Sequence, residues 1–150
     1  MGKGHTNWLV PHIVNRIDKV LEPHIHEVQY VAPWGAAPVT LTSLAGAYNW
    51  GLYSADIIAD DAIPYLFDLH WAVIADSDAN GHYEVEFYHG ATDIVCSRAK
   101  FTRTAPFTNS ITIPLLTHQL PIGSRVRARL RHSVGVASCL VTVYYHQYEK

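Results

Sequence analysis

The residues best suited to metal chemistry lie near the start of the chain, in the run His24-Ile25-His26-Glu27. Side chains two positions apart on a strand share a face, so His24 and His26 could bind zinc or iron together. The alternative is a pair of exposed or hydrogen-bonded histidines. The choice depends on whether further ligands follow in the sequence.

The histidine pair is similar to the first motif of the cupins, which are metal-binding jelly rolls. Cupins place a glutamate several residues after the second histidine, where this chain has Tyr30, Val31 and Ala32. The later proline–glycine–histidine motif of that family is missing as well. We therefore predict no metal ligand and no cofactor, and keep a cupin-type metal enzyme only as a third alternative.

No nucleophile and base can be paired from the remaining residues. The serines stand outside any G-x-S-x-G elbow, and no glycine-rich phosphate loop occurs. Cys96 and Cys139 have no catalytic signature around them. Asp76 and Asp78 lack the further acids and the terminal glutamate of a calcium loop. The sequence predicts no catalytic residue and a protein that is not an enzyme.

A row of arginines is the clearest charged feature of the chain. The residues from 125 to 131 alternate strictly between arginine and an apolar residue, which is typical of a strand with one polar and one apolar face. The row could bind an anionic partner, lie solvated on an outer sheet face, or pair with acids on another strand. The arginines of the row are Arg125, Arg127, Arg129 and Arg131.

The distribution of charge favours pairing with acids. Residues 54–97 carry nine acids and no Lys or Arg, whereas residues 98–131 carry seven bases and no Asp or Glu. Segments of opposite sign usually meet, within a subunit or between subunits. We expect Arg127 and Arg129 to lie near Glu84 or Glu86. The four arginines, together with Glu84 and Glu86, form our predicted subunit interface.

The rest of the chain reads as short strands separated by turns. Seven to nine strands recur every eight to twelve residues, which predicts an all-β fold: an antiparallel β-sandwich or jelly roll. Asp76–Gly81 has the composition of a hairpin turn. The predicted strands are His26–Val31, alternating residues from Tyr48 to Leu52, Ala55–Ala59, Tyr65–Ala75, His82–His89, Asp93–Thr102, Ser110–Leu116, Arg125–Arg131 and Cys139–Tyr148, and Val39–Leu44 is predicted as a short extended piece.

The first 45 residues differ from the rest. Residues 1–45 are predicted to form an N-terminal arm with one strand and a short helix at about 11–21, and residues 46–150 the sandwich. So short a helix needs an apolar partner surface. Its apolar stripe, which we predict to be a docking surface, consists of Ile13, Val14, Ile17, Val20 and Leu21.

Composition limits the remaining possibilities. A net charge of −2 argues against direct binding of nucleic acid. No run approaches the roughly 18 apolar residues of a membrane span, and no signal peptide is visible. We therefore expect a soluble protein made in a cytoplasm, without nucleic-acid or membrane partners.

Four runs in residues 46–150 carry a family resemblance: IPYLFDLHWAVIADSDANGHYEVEFYHG, ITIPLL, LPIGSRVRARLR and ASCLVTVYY. Together they resemble small jelly-roll structural proteins of tailed-phage virions, whose shape is similar to the heads of tumour necrosis factor and complement C1q. The resemblance is one of pattern and does not extend to residues 1–45.

The resemblance implies a homotrimer located on a virion and made in the host cytoplasm. It implies a non-enzymatic capsid decoration (cement) protein, with the N-terminal arm docking on the major capsid protein or another virion protein. The alternative is a receptor- or carbohydrate-binding head on a tail fibre or baseplate. Exposed aromatic side chains would then stack on sugars, the candidates being Trp34, Trp50, Tyr144, Tyr145 and Tyr148.

Overall fold

The computed structural model describes residues 29–105 and 109–148. The predicted docking helix at about 11–21 and the histidine pair His24 and His26 therefore lie outside the described residues. Within them the chain forms eight strands and no helix, in two antiparallel sheets. The strands are β1 (Tyr30–Ala32), β2 (Val39–Thr42), β3 (Phe67–Ala75), β4 (Gly81–His89), β5 (Ile94–Arg103), β6 (Ile111–Pro114), β7 (Val126–His132) and β8 (Ser138–Gln147).

The two sheets differ in size. The larger has five strands: β3 lies between β6 and β8, and both β1 and β2 pair with the other edge of β8. The smaller has three strands in the order β5-β4-β7. From β2 onward, the bounds of each strand lie within two residues of a predicted extended run.

The inward faces of the two sheets share one buried apolar cluster. Leu69 and Val143 enter it from the five-stranded sheet, and Val85 and Leu130 from the three-stranded sheet; all four are fully buried. Burial of each such side chain contributes about 1.5–3 kcal/mol to folding. The described residues therefore have the predicted all-β fold, with two antiparallel sheets on one core as in a sandwich.

The connection at Asp76–Gly81 is not a hairpin, so that prediction is wrong. β3 before it already pairs with β6 and β8, which leaves no free edge for β4. The connection instead passes from one sheet to the other. Asp78 Oδ1 accepts a hydrogen bond from the backbone N–H of Ser138 on β8 at 2.7 Å, and Arg103 on β5 donates to Ser77 at 2.8 Å. The turn is therefore hydrogen-bonded to a strand of each sheet.

Residues 48–58, which we call the edge segment, cover the predicted strand at 48–52 and most of the one at 55–59, but they form no strand apart from a single bridge at Ile58. Backbone N–H groups at every third residue of the edge segment donate hydrogen bonds to backbone carbonyls at every second residue of β7. This three-for-two spacing breaks the strand pattern yet covers an edge that would otherwise be exposed. The bonds run from Tyr48 to His132 (2.7 Å), Gly51 to Leu130 (2.7 Å), Ser54 to Ala128 (2.8 Å) and Ile57 to Val126 (2.8 Å).

Candidate functional site

The arginine row lies directly beside two glutamates in the three-stranded sheet. The antiparallel register of β4 and β7 places Glu86 opposite Arg129 and Glu84 opposite Arg131. Arg129 donates from Nε and Nη2 to Glu86 Oε2 at 3.2 and 3.0 Å. Arg131 donates in the same way to Glu84 Oε2 at 3.1 and 2.7 Å. These pairs form within one chain and one sheet.

Arg127 binds an acid that the sequence did not indicate. Its guanidinium donates to both carboxylate oxygens of Asp93, in the turn between β4 and β5, and Arg125 approaches the same carboxylate at 3.6 Å. Tyr88, and not a glutamate, stands opposite Arg127 in the register. The hydrogen bonds from Arg127 lower the pKa of the Asp93 carboxyl.

Glu86 is bonded from three sides. Arg129 approaches from β7, Arg98 reaches Oε1 from β5 at 2.6 Å, and the hydroxyl of Tyr88 donates to Oε2. Burial alone would raise the pKa of Glu86, but the bonds from Tyr88 and Arg129 and the charge of Arg98 outweigh it, so the pKa is lowered. Burial, together with Glu86, raises the pKa of Tyr88. The glutamate therefore stays ionised although its side chain is only 3% exposed.

Aromatic side chains of the edge segment cover the arginines. The Trp50 ring lies 4.6 Å from the guanidinium carbon of Arg129 and 4.5 Å from that of Arg131, and Tyr53 lies 4.7 Å from that of Arg127. Each such cation–π contact contributes about 0.5–1 kcal/mol where it is exposed to water. The arginine row thus lies between carboxylates and aromatic rings.

The ion pairs of the arginine row form within one chain, so they do not test the predicted subunit interface. That interface stays a prediction.

The outer face of the five-stranded sheet is apolar at its centre. A β-bulge between Leu69 and Trp71 turns both His70 and Trp71 outward. Neighbouring strands then bring together a group of side chains that we call the tryptophan face. It consists of Val31, Trp71, Val73 and Tyr144, and it borders a shallow depression of about 320 Å³ lined by Gln29, Trp71, Val73, Thr112 and Tyr144.

Beside the tryptophan face lies a group of three metal-ligating side chains, which we call the Asp68 cluster. Asp68 and His70 come from β3, and His146 comes from β8. Asp68 Oδ1 lies 3.1 Å from His70 Nε2 and 3.7 Å from His146 Nδ1. Asp68 and His146 are largely buried, with side chains 14% and 9% exposed, whereas His70 is 31% exposed.

Sequence reasoning missed the Asp68 cluster. The pattern Asp68-Leu69-His70 has the same two-residue spacing as His24-Ile25-His26 and was a signal that could have been noticed. His146 lies far along the chain, and only the pairing of β3 with β8 brings it opposite Asp68. The spacing of residues along the chain therefore could not predict that His146 belongs to the cluster.

Comparison with known proteins finds no family model and no curated protein that matches the chain. Among residues 29–105 and 109–148, no helix is long and apolar enough to cross a membrane.

Proposed function

We propose that the chain is a non-enzymatic structural protein of a tailed-phage virion, a trimeric jelly roll that decorates the capsid and docks on the major capsid protein. The resemblance of residues 46–150 to such proteins motivates the proposal. The proposal assigns assembly to one outer face of the sandwich and capsid docking to the N-terminal arm.

The tryptophan face is the observation that carries the proposal. Trp71 and Val31 are each 37% exposed, and Tyr144 lies between them in the strand register. Adjacent apolar side chains on a sheet face favour contact with another protein. The outer face of the other sheet is occupied by its own ion pairs and aromatic rings. We assign the tryptophan face to a second copy of the chain in the trimer.

Native mass spectrometry of the full chain tests the assembly. We expect a trimer for the wild type, and monomers for Trp71→Asp because a carboxylate cannot be buried unpaired in an apolar contact. Trp34→Asp is the matched control, since Trp34 is 93% exposed and lies in the turn between β1 and β2. A second variant, Val31→Asp, guards against misfolding of the first, and circular dichroism checks that each variant is folded. A wild type that stays monomeric would contradict the proposal, as would trimers of both face variants.

Capsid docking is tested separately through the predicted helix. Ile17→Asp with Leu21→Asp should abolish co-sedimentation with capsids that lack the protein, while trimers persist. Asn15→Asp adds a charge between the apolar positions and should leave docking intact. Capsid binding that is equal in both variants would remove the docking assignment.

The depression beside Trp71 favours one second candidate, a carbohydrate-binding head. Trp71 and Tyr144 offer rings for stacking on a sugar, and Gln29 and Thr112 offer polar groups nearby. Of the aromatics considered from the sequence, Trp34 is exposed, Trp50 covers arginines and Tyr145 is buried. Binding on a glycan array that is lost in Trp71→Ala but kept in Trp34→Ala would favour this candidate.

A further inference from the structure

The Asp68 cluster combines one carboxylate and two imidazoles on the outer face of the five-stranded sheet. We propose that Asp68, His70 and His146 bind a divalent transition-metal ion of the zinc type. The proposal concerns the described residues alone and does not depend on the virion role.

The donor atoms have the spacing of a metal site that is nearly formed. Ligands about 2.0–2.1 Å from a tetrahedral ion lie roughly 3.3 Å from one another. The separations from Asp68 Oδ1 are 3.1 Å to His70 Nε2 and 3.7 Å to His146 Nδ1, and all three donor atoms lie within 4.8 Å of each other. Small side-chain rotations would bring the three atoms around one ion.

An independent feature points to a ligand at this position. Asp68 Oδ1 is buried and accepts no hydrogen bond within the described residues, even though two histidine nitrogens are close. Leaving a buried carboxylate oxygen without a hydrogen bond is unfavourable. A cation between the carboxylate and the two rings would remove that penalty, because it supplies the missing positive partner.

Neighbouring groups would orient the ligands. Asp68 Oδ2 accepts a hydrogen bond from the Tyr148 hydroxyl at 2.7 Å, which leaves Oδ1 for the ion. The side-chain amide nitrogen of Gln29 lies 3.3 Å from His70 Nδ1, the ring nitrogen on the far side from the cluster. A 180° rotation of the amide would bring its oxygen to this position, so that Nδ1 carries the proton and Nε2 presents its lone pair to the metal. Partners of this kind commonly flank metal-ligating histidines and carboxylates.

The donor types define the class of ion. Imidazole nitrogens suit zinc, iron, nickel and copper, whereas calcium and magnesium prefer sets made of oxygen alone. Three protein ligands leave at least one coordination position for water or another donor. Because the ligands come from β3 and β8, a bound ion would join these two strands.

Isothermal titration of the metal-free full chain with zinc at neutral pH tests the site. We expect one zinc site in the wild type. In Asp68→Asn and His70→Ala we expect the zinc affinity to fall by at least about 100-fold, because the loss of a residue that only supports a ligand lowers metal affinity by about 10- to 100-fold. His82→Ala is the matched control, because His82 is exposed on β4 in the other sheet. The double variant His24→Ala/His26→Ala tests the competing histidine pair. Both controls should bind as the wild type does.

Two results would overturn the proposal. One is zinc binding that survives in Asp68→Asn and His70→Ala, or that disappears in His24→Ala/His26→Ala alone. The other is a wild type that binds no zinc at millimolar concentration, which would leave the cluster as a hydrogen-bonded acid–histidine group.

Binding of Co²⁺ gives a spectroscopic test that separates the loss of a ligand from a general loss of stability. Visible absorption of bound Co²⁺ should appear in the wild type and in His82→Ala, and vanish in Asp68→Asn. Tyr148→Phe keeps the ring and removes only the hydroxyl, so we expect the cobalt spectrum to persist with an affinity about 10-fold lower. A cobalt spectrum identical in the wild type and Asp68→Asn would exclude the carboxylate as a ligand.

Discussion

The environment of Glu86 explains how a charged side chain can stand among buried residues. The residue is only 2% exposed, yet a guanidinium on each neighbouring strand and the hydroxyl of Tyr88 bond its carboxylate. A buried charge is tolerated when it is paired and its remaining lone pairs are occupied. The two arginines differ in exposure to water: the Arg129 side chain is 27% exposed, and the Arg98 side chain is 57% exposed.

Neutralising Glu86 should therefore cost more than removing its exposed partner. We expect Glu86→Gln to lower the free energy of unfolding by about 2–3 kcal/mol, because it weakens charge-assisted bonds to two arginines and Tyr88. Arg98→Gln should cost no more than about 1 kcal/mol, as is typical of exposed ion pairs. Urea denaturation of the two variants measures the difference. Equal losses would mean that the pair with Arg98 on β5 accounts for the whole effect, which would contradict the stabilising role of Arg129 and Tyr88.

The two cysteines should be unreactive in the folded protein. Burial raises the pKa of the Cys96 and Cys139 thiols to about 12 each. Since the thiolate is the nucleophile, only roughly one thiol in 10⁴ is reactive at pH 8. Ellman's reagent should label neither cysteine in the native state and both in guanidinium chloride. Rapid native labelling of the Cys96→Ser variant, which retains Cys139, would contradict the burial of that residue.

At the scale of elements, the edge segment replaces a fourth strand of the smaller sheet. Its three-for-two spacing against β7 leaves extra residues that carry Trp50 and Tyr53 over the arginines. A regular strand alternates its side chains between the two faces, so it would place fewer rings above the row. The irregular backbone thus protects the edge and covers the charges at the same time.

The backbone of the edge segment leaves no room for a side chain at Gly51. A Cβ atom at this residue would lie 1.8 Å from the carbonyl oxygen of Thr42, which is backbone and cannot rotate away. We expect Gly51→Ala to lower the free energy of unfolding by about 2–3 kcal/mol, because the edge segment must move off β7. Leu52→Ala, at a neighbouring side chain that is 82% exposed, should cost less than about 0.5 kcal/mol. Thermal denaturation of both variants measures the contrast, and a stable Gly51→Ala would mean that the segment has room to shift.

For the whole molecule, the folding pattern accounts for the segregation of charge along the chain. The acidic residues 54–97 include β4, and the basic residues 98–131 include all the lysines and arginines of β5 and β7. Because β4 lies between β5 and β7, its two acids, Glu84 and Glu86, stand between the bases of the other segment. The two segments therefore meet inside one chain, which was one of the two expected arrangements.

This arrangement makes stability depend on pH on the acid side. The folded pKa values of Glu86 and Asp93 lie below their ordinary values of 4.5 and 3.8, so both groups stabilise the fold when ionised. That contribution is complete above the ordinary values and is lost as the pH falls through the folded pKa values. Urea midpoints should drop steeply from pH 4.5 to pH 3. The double variant Glu86→Gln/Asp93→Asn should show a shallower drop, and an unchanged slope would contradict the assignment.

The sequence by itself determined the approximate bounds of β2 to β8 and, along alternating strands such as β7, the face that each side chain takes, because period-two alternation is a local property. The arginines and the glutamates could be assigned to outward faces in this way, and two of the four arginines bind those glutamates. The sequence also predicted two strands in residues 48–59 that do not form. The tertiary structure decided which sheet each strand joins, since both edges of β3 pair with β6 and β8, which come much later in the chain. It also decided the three-for-two path of the edge segment and the meeting of Asp68 with His146. These features depend on contacts between distant residues, and local spacing carries no information about them.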